Sequence, residues 1–186
     1  LPLKDAVLLP EGQLPLIVSN PASIALVREL FNSSSPVIAT GMKETGISEA
    51  PNWENLYRTG CVAKITKITP AKNNDLSIMI RGIRKAGLIE RVPHETYLKA
   101  RVSLITENLV VDRNIQAIAL STREVLSQLA RLSYHNLESV LSNLSKLKDP
   151  SILLSTSTTN LPLPTEKKQQ ILEESDFYRK FSILHQ

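Results

Sequence analysis

The sequence predicts an α+β fold in two lobes, strand-rich over residues 1–105 and helical over residues 106–186. Two observations carry the prediction. Short runs of β-branched residues bounded by Pro, Gly or Asn fill the first hundred positions, several with period-two alternation. After about residue 106 the apolar period becomes helical, with Ile115, Ile118, Ala119, Val125, Leu126, Leu129 and Leu132 recurring every three or four positions.

In chain order, strands are expected over residues 3–9 and 14–18, followed by a helix. Asn20 caps that helix, Pro21 suits its first turn, and Ile24, Leu26, Val27, Leu30 and Phe31 give it an apolar side. It stops before the turn Ser33-Ser34-Ser35-Pro36. Further strands are expected over 37–40, 60–68, 76–81, 86–91 and 97–105. Leu76, Ile78 and Ile80 alternate with Ser77, Met79 and Arg81, so one face of that strand is apolar. Between 68 and 76, Pro70 fixes φ and Asn73, Asn74 and Asp75 tolerate left-handed geometry, which predicts a hairpin.

A long helix follows the cap Asp112, and shorter ones are expected over 136–146, 150–157, 165–173 and 176–184. Thr165 lacks the Glu three residues later that completes a capping box, although Pro164 and Glu166 favour a start there. The Ser/Thr run 155–159 reads as a linker.

The composition, 42% hydrophobic and 22% charged over 186 residues, is that of a chain able to bury a core. No run of 18 apolar residues and no basic-then-apolar leader appears, so a soluble protein is expected, with the reservation that Leu1 in place of Met leaves room for a trimmed leader. The one cysteine, Cys61, cannot pair internally. It lies in the apolar run Cys61-Val62-Ala63-Lys64-Ile65, which favours a buried, inert thiol over a nucleophile and a reducing compartment, cytoplasmic or organelle matrix. The net charge of +4 comes from residues 1–105, which hold 13 Lys and Arg against 9 Asp and Glu. That excess does not form the aromatic-interleaved cationic stripe of a nucleic-acid binder.

Signatures of chemistry are missing. The nearest approach to a phosphate loop, Gly41-Met42-Lys43-Glu44-Thr45-Gly46, lacks the spacing and the Gly-Lys-Ser/Thr ending, and reads as a surface turn. His94, His135 and His185 are far apart with no paired spacing, so no metal site is expected, and no Gly-x-Ser-x-Gly elbow argues for a nucleophile. No catalytic residue is assigned. What remains is an apolar loop, residues 42–56, whose Met42, Ile47, Trp53 and Leu56 are the candidate substrate-binding residues, with Pro51 among them. The competing reading makes Trp53 a lid over the core.

Five motifs in order resemble the amino-terminal domain family of Lon ATP-dependent proteases. These are the opening Leu1-Pro2-Leu3-Lys4-Asp5 with Leu14-Pro15-Leu16, the strand Gly60-Cys61-Val62-Ala63-Lys64-Ile65, the turn Gly82-Ile83-Arg84-Lys85-Ala86, the strand Tyr97-Leu98-Lys99-Ala100-Arg101-Val102, and the closing Leu161-Pro162-Leu163 with Lys168-Gln169 and Leu172-Glu173. Lys4 and Lys85 stand where the family usually has Arg, which keeps charge but loses bidentate pairing.

The resemblance implies a β-rich pseudobarrel of PUA-like type, akin to some RNA-binding modules, followed by a helical bundle. It also implies a non-catalytic role in protein quality control: recognising damaged or unfolded proteins and helping a homohexamer assemble. By the same resemblance, a nucleotide-driven motor, with its ATP and Mg, and a Ser-Lys peptidase are expected elsewhere in a parent protease. Two other readings remain, a stand-alone relative binding proteins or small ligands, and an RNA-binding module.

Overall fold

A computed structural model describes residues 1–43, 51–107, 109–132 and 135–186, with residues 135–137 described by their backbone alone. The chain divides into two compact units, Leu1–Thr106 and Glu107–Gln186, and the architecture is the α+β class expected.

The first unit contains strands β1 (Pro2–Leu3), β2 (Gln13–Val18), β3 (Val37–Gly41), β4 (Thr59–Pro70), β5 (Leu76–Val92) and β6 (Lys99–Leu104), with helix α1 (Pro21–Asn32) between β2 and β3. The sheet runs β1-β3-β4-β5-β2, with β6 also on β5. β1 pairs with β3 in parallel and the other pairings are antiparallel. β5 holds β4 along one edge and divides its other edge between β2 and β6, which pair with residues 76–81 and 86–92 respectively. The inward residues Ala39, Cys61, Ala63, Ile65, Ile78 and Ile80 meet Leu26 and Val27 of α1 in one apolar core. Cys61 is completely buried there.

Two expectations for this unit are corrected. The strand predicted over 3–9 is only Pro2–Leu3, because Asp5 takes a left-handed φ of 54° and turns the chain out of the sheet. Val7, Leu8 and Leu9 are nevertheless buried, so their hydrophobicity marked core rather than strand.

The strands predicted at 76–81 and 86–91 are one strand, and the expected turn at Gly82 is a bulge. Ala63 faces Gly82 while Val62 faces Arg84, which leaves Ile83 as the extra residue. The segment before β2 crosses at this point: Gly82 N–H donates to the Gly12 carbonyl at 2.9 Å, and Glu11 N–H donates to the Gly82 carbonyl at 3.1 Å. Gly82 is therefore needed for a close backbone approach, not for a reversal.

The hairpin between β4 and β5 forms where Asn was expected to allow it, with Asn73 and Asn74 at φ 56° and 67°. Asn20 caps α1 as expected, its Oδ1 accepting from the backbone of Ala22 at 3.0 Å and Ser23 at 3.2 Å. Asn20→Ala should therefore destabilise this unit by about 1 kcal/mol in urea unfolding, whereas Asn20→Ser should be close to neutral.

The second unit is helical: α2 (Arg113–Leu132), α3 (His135–Ser145), α4 (Pro150–Asn160), α5 (Thr165–Glu173) and α6 (Phe177–His185). Asp112, Asp149 and Asp176 cap α2, α4 and α6 through their carboxylates. α5 starts after Pro164 with no side-chain cap. The apolar face of α2 buries Ile115, Ala119, Leu126 and Ala130.

The Ser/Thr run 155–159 is not a linker. It is the buried second half of α4, made possible because Thr158 and Thr159 donate their hydroxyls to the carbonyls of Leu154 and Ser155 at 2.8 Å each.

Two buried lysines complete the packing. Lys168 Nζ donates to the Thr159 carbonyl near the end of α4, and Lys180 Nζ to the Ile171 carbonyl near the end of α5, each at 3.1 Å. Both act as cationic caps for carbonyls that a helix end leaves without partners. Burial pushes the Lys168 ammonium pKa below the ordinary lysine value. Lys180 also forms a 2.8 Å ion pair with Glu107, with both side chains buried.

Candidate functional site

The connection between β3 and β4 carries the candidate residues, and short hydrogen bonds tie down its two ends. Lys43 N–H donates to the Asn55 carbonyl at 2.8 Å, Tyr57 N–H to the Gly41 carbonyl at 3.0 Å, and the Thr40 hydroxyl to the Tyr57 carbonyl at 2.9 Å. Met42 and Leu56 face each other as an isolated antiparallel bridge. Leu56 is buried, at 3% exposure, and Met42 is half-buried. Leu56 thus holds the base of the loop while Met42 keeps an open side. Ile47 lies outside the described residues.

Trp53 is half-buried, with the Arg58 guanidinium 4.5 Å from its ring centroid. Arg58 is in turn paired with the Glu54 carboxylate at 3.3 Å. The indole is oriented by its neighbours and still offers a surface, so it combines features of a lid and of a contact residue.

Two residues before Trp53, Pro51 lines an apolar cleft of about 70 Å³ shared with Leu26 at the first turns of α1 and with Pro2, Tyr97 and Leu98. Its size suits one aliphatic side chain; an apolar cavity of roughly twice that volume holds a benzene. His94 stacks on the Tyr97 ring at 4.0 Å between centroids. Burial raises the Tyr97 phenol above its usual pKa, and the Glu29 carboxylate adds to the effect. The phenol stays neutral at physiological pH and presents an apolar wall.

Sequence reading found the loop and its Trp but not this cleft, because the walls come from four separate stretches of chain. Tyr97 was read only as part of a strand.

The amides at the start of α1, α2, α4 and α6 are taken by the chain's own Asn and Asp side chains, and three of those caps are carboxylates that repel phosphate. Among the described residues no group of three or more His, Cys, Asp or Glu comes together to hold a metal ion. His185 bonds instead to the Thr122 hydroxyl at 2.6 Å. Among the described residues no helix is long and apolar enough to cross a membrane.

Comparison with known proteins places these features in a lineage. Residues 1–186 match the family model of the ATP-dependent protease La (LON) substrate-binding domain. The Lon protease of Anaeromyxobacter dehalogenans is 26% identical over 185 residues, which are 99% of this chain and 22% of that protein. The Lon protease of Dictyoglomus thermophilum is 30% identical over 176 residues, 95% of this chain and 22% of that protein. The chain thus spans about a fifth of the length of these relatives.

Among solved structures, the N-terminal domain of the Mycobacterium avium complex Lon protease superposes with a TM-score of 0.73 at 21% identity, covering 99% of this chain and 93% of that one. The Lon N-terminal domain protein of Xanthomonas campestris gives 0.68 at 18% identity, covering 100% and 94%. At these identities the likeness speaks to the fold.

Proposed function

Since this chain belongs to the family of ATP-dependent protease La (LON) substrate-binding domains, we propose that it captures damaged or unfolded proteins for a parent protease whose motor and Ser-Lys peptidase lie in other segments. The observation that carries the reading is the open apolar cleft of Pro51, Tyr97 and Leu26, with the half-exposed Trp53 two residues along the chain from Pro51. An unfolded chain displays aliphatic and aromatic side chains that a native protein hides, and a shallow apolar cleft can take one of them without reading a sequence. Met42 and Trp53 supply adaptable contact area in the same connection as Pro51, and Ile47 is proposed with them from the sequence alone. Leu56 acts from below, by holding the loop base.

Single contacts of this size bind weakly. Six copies in a homohexamer offset that by raising the effective concentration of sites around one bound substrate. Soluble work in the cytoplasm or an organelle matrix fits such a role.

The test is a pull-down of one protein in unfolded and native forms, with a structured RNA as a third ligand, at two salt concentrations. Retention of the unfolded form alone is expected, and steeply salt-dependent retention of RNA in its place would overturn the proposal. Trp53→Ala should weaken binding of the unfolded form about tenfold, the effect of losing a modest aromatic anchor. The same change should move stability by no more than about 1 kcal/mol, because the loss is confined to a half-exposed ring and its cation–π contact.

A further inference from the structure

The strands beside the proposed capture loop also carry an exposed cationic face. In the β4–β5 register Val62 is opposite Arg84, Lys64 opposite Arg81 and Lys67 opposite Met79, and these pairs alternate with the inward core residues. Lys64, Lys67, Arg81 and Arg84 are all exposed, with Val62 and Met79 half-exposed between them. Glu11 is the carboxylate that answers this group, through its 2.8 Å pair with Arg81. Among the described residues Lys64, Lys67 and Arg84 have no ion-pair partner. Asp75, at the hairpin end, accepts a hydrogen bond from the Ser19 hydroxyl at 3.0 Å.

A face of this make-up favours one ligand chemistry. Cations spaced by aliphatic side chains complement an extended polypeptide in which carboxylates alternate with apolar residues. Nucleic acid is a poorer match, because β2, β4 and β5 contain no aromatic residue on which a base could stack.

We propose that this outer sheet face docks acidic segments of unfolded substrate polypeptides, steering them toward the loop of Met42 and Trp53. The proposal rests on the substrate-capture reading above and adds a charge preference to it.

Its test uses the full chain and two fluorescent unstructured peptides of equal length and aliphatic content, one with Glu and one with Gln at the polar positions. The Glu peptide should bind about tenfold more tightly at low salt, the size expected of a few exposed ion pairs acting together, and the gap should close as salt rises. In Lys64→Gln, Lys67→Gln, Arg84→Gln combined, the advantage should vanish while the Gln peptide binds as before. Equal binding of the two peptides to the unaltered chain would overturn this inference and leave substrate capture standing. Failure of both peptides to bind would overturn both. Tighter binding of a single-stranded oligonucleotide, lost in the same triple variant, would overturn the choice of polypeptide as occupant.

Discussion

Gly82→Ala is expected to destabilise the strand-rich unit by about 3 kcal/mol, the upper end of the cost of forcing a methyl group into a closed space. A Cβ at this position would lie 2.1 Å from the Leu9 carbonyl oxygen and 3.0 Å from Cys61 Sγ. Neither neighbour is a flexible side-chain end. The Leu9 carbonyl also accepts from Gly12 N–H at 3.1 Å, within the same crossing that bonds to Gly82. Moving that backbone would break the hydrogen bonds of the crossing. Gly87 offers the control on the same strand, since its Cβ would meet the Ser103 hydroxyl at 3.3 Å and little else. Urea unfolding followed by the fluorescence of Trp53, the one tryptophan of the chain, reads this unit directly. A large fall in midpoint for Gly82→Ala with a small change for Gly87→Ala is expected; equal effects would contradict the crossing.

The second large effect lies in the helical unit. Lys180→Met and Glu107→Gln should each cost about 3 kcal/mol, because either change removes one side of a close ion pair held out of water. The pair is 2.8 Å apart, with side-chain exposures of 3% and 9%. Lys180 also caps the end of α5 through Ile171, so it joins three parts of the unit: α6, the end of α5 and the segment that leads into α2. The double replacement Lys180→Met with Glu107→Leu should recover a substantial part of the loss, since it removes the desolvated charges together. Thermal unfolding followed by far-ultraviolet circular dichroism, analysed as a double-mutant cycle, checks this. Simple additivity of the two single losses would show that the charges do not act as a pair.

These two positions also show where sequence reading succeeds and where it stops. Local chemistry was legible: Asn20 and Asp112 were recognisable as caps, and Asn73 and Asn74 as residues able to reverse a chain, because each acts on neighbours within three or four positions. Gly82 was legible as part of a motif, but its reason was not. The need for glycine arises from a segment some seventy residues earlier in the chain, and a turn was the natural local reading.

The buried run Ser155 to Thr159 was misread for a related cause. Hydroxyl-rich sequence suggests exposure, and only a formed helix supplies the carbonyls that satisfy Thr158 and Thr159 internally. Cys61 shows the opposite case, where flanking apolar residues sufficed to place the thiol in the core.

The candidate site divides in the same way. Trp53 in a loop stood out by residue type alone. The cleft beside it did not, since Pro2, Leu26, Pro51 and Tyr97 are brought together by the sheet and by α1. The cationic face was equally hidden. Lys64, Lys67, Arg81 and Arg84 read in sequence as scattered charges, and only the β4–β5 register collects them.

Hydrogen–deuterium exchange of the chain, alone and saturated with a permanently unfolded protein, tests the central claim most directly. Slower exchange is expected at 51–58, at the first turn of α1 and along β4, with the helical unit unchanged. Slowing confined to residues 107–186, or none at saturating ligand, would contradict the assignment of substrate capture to this surface.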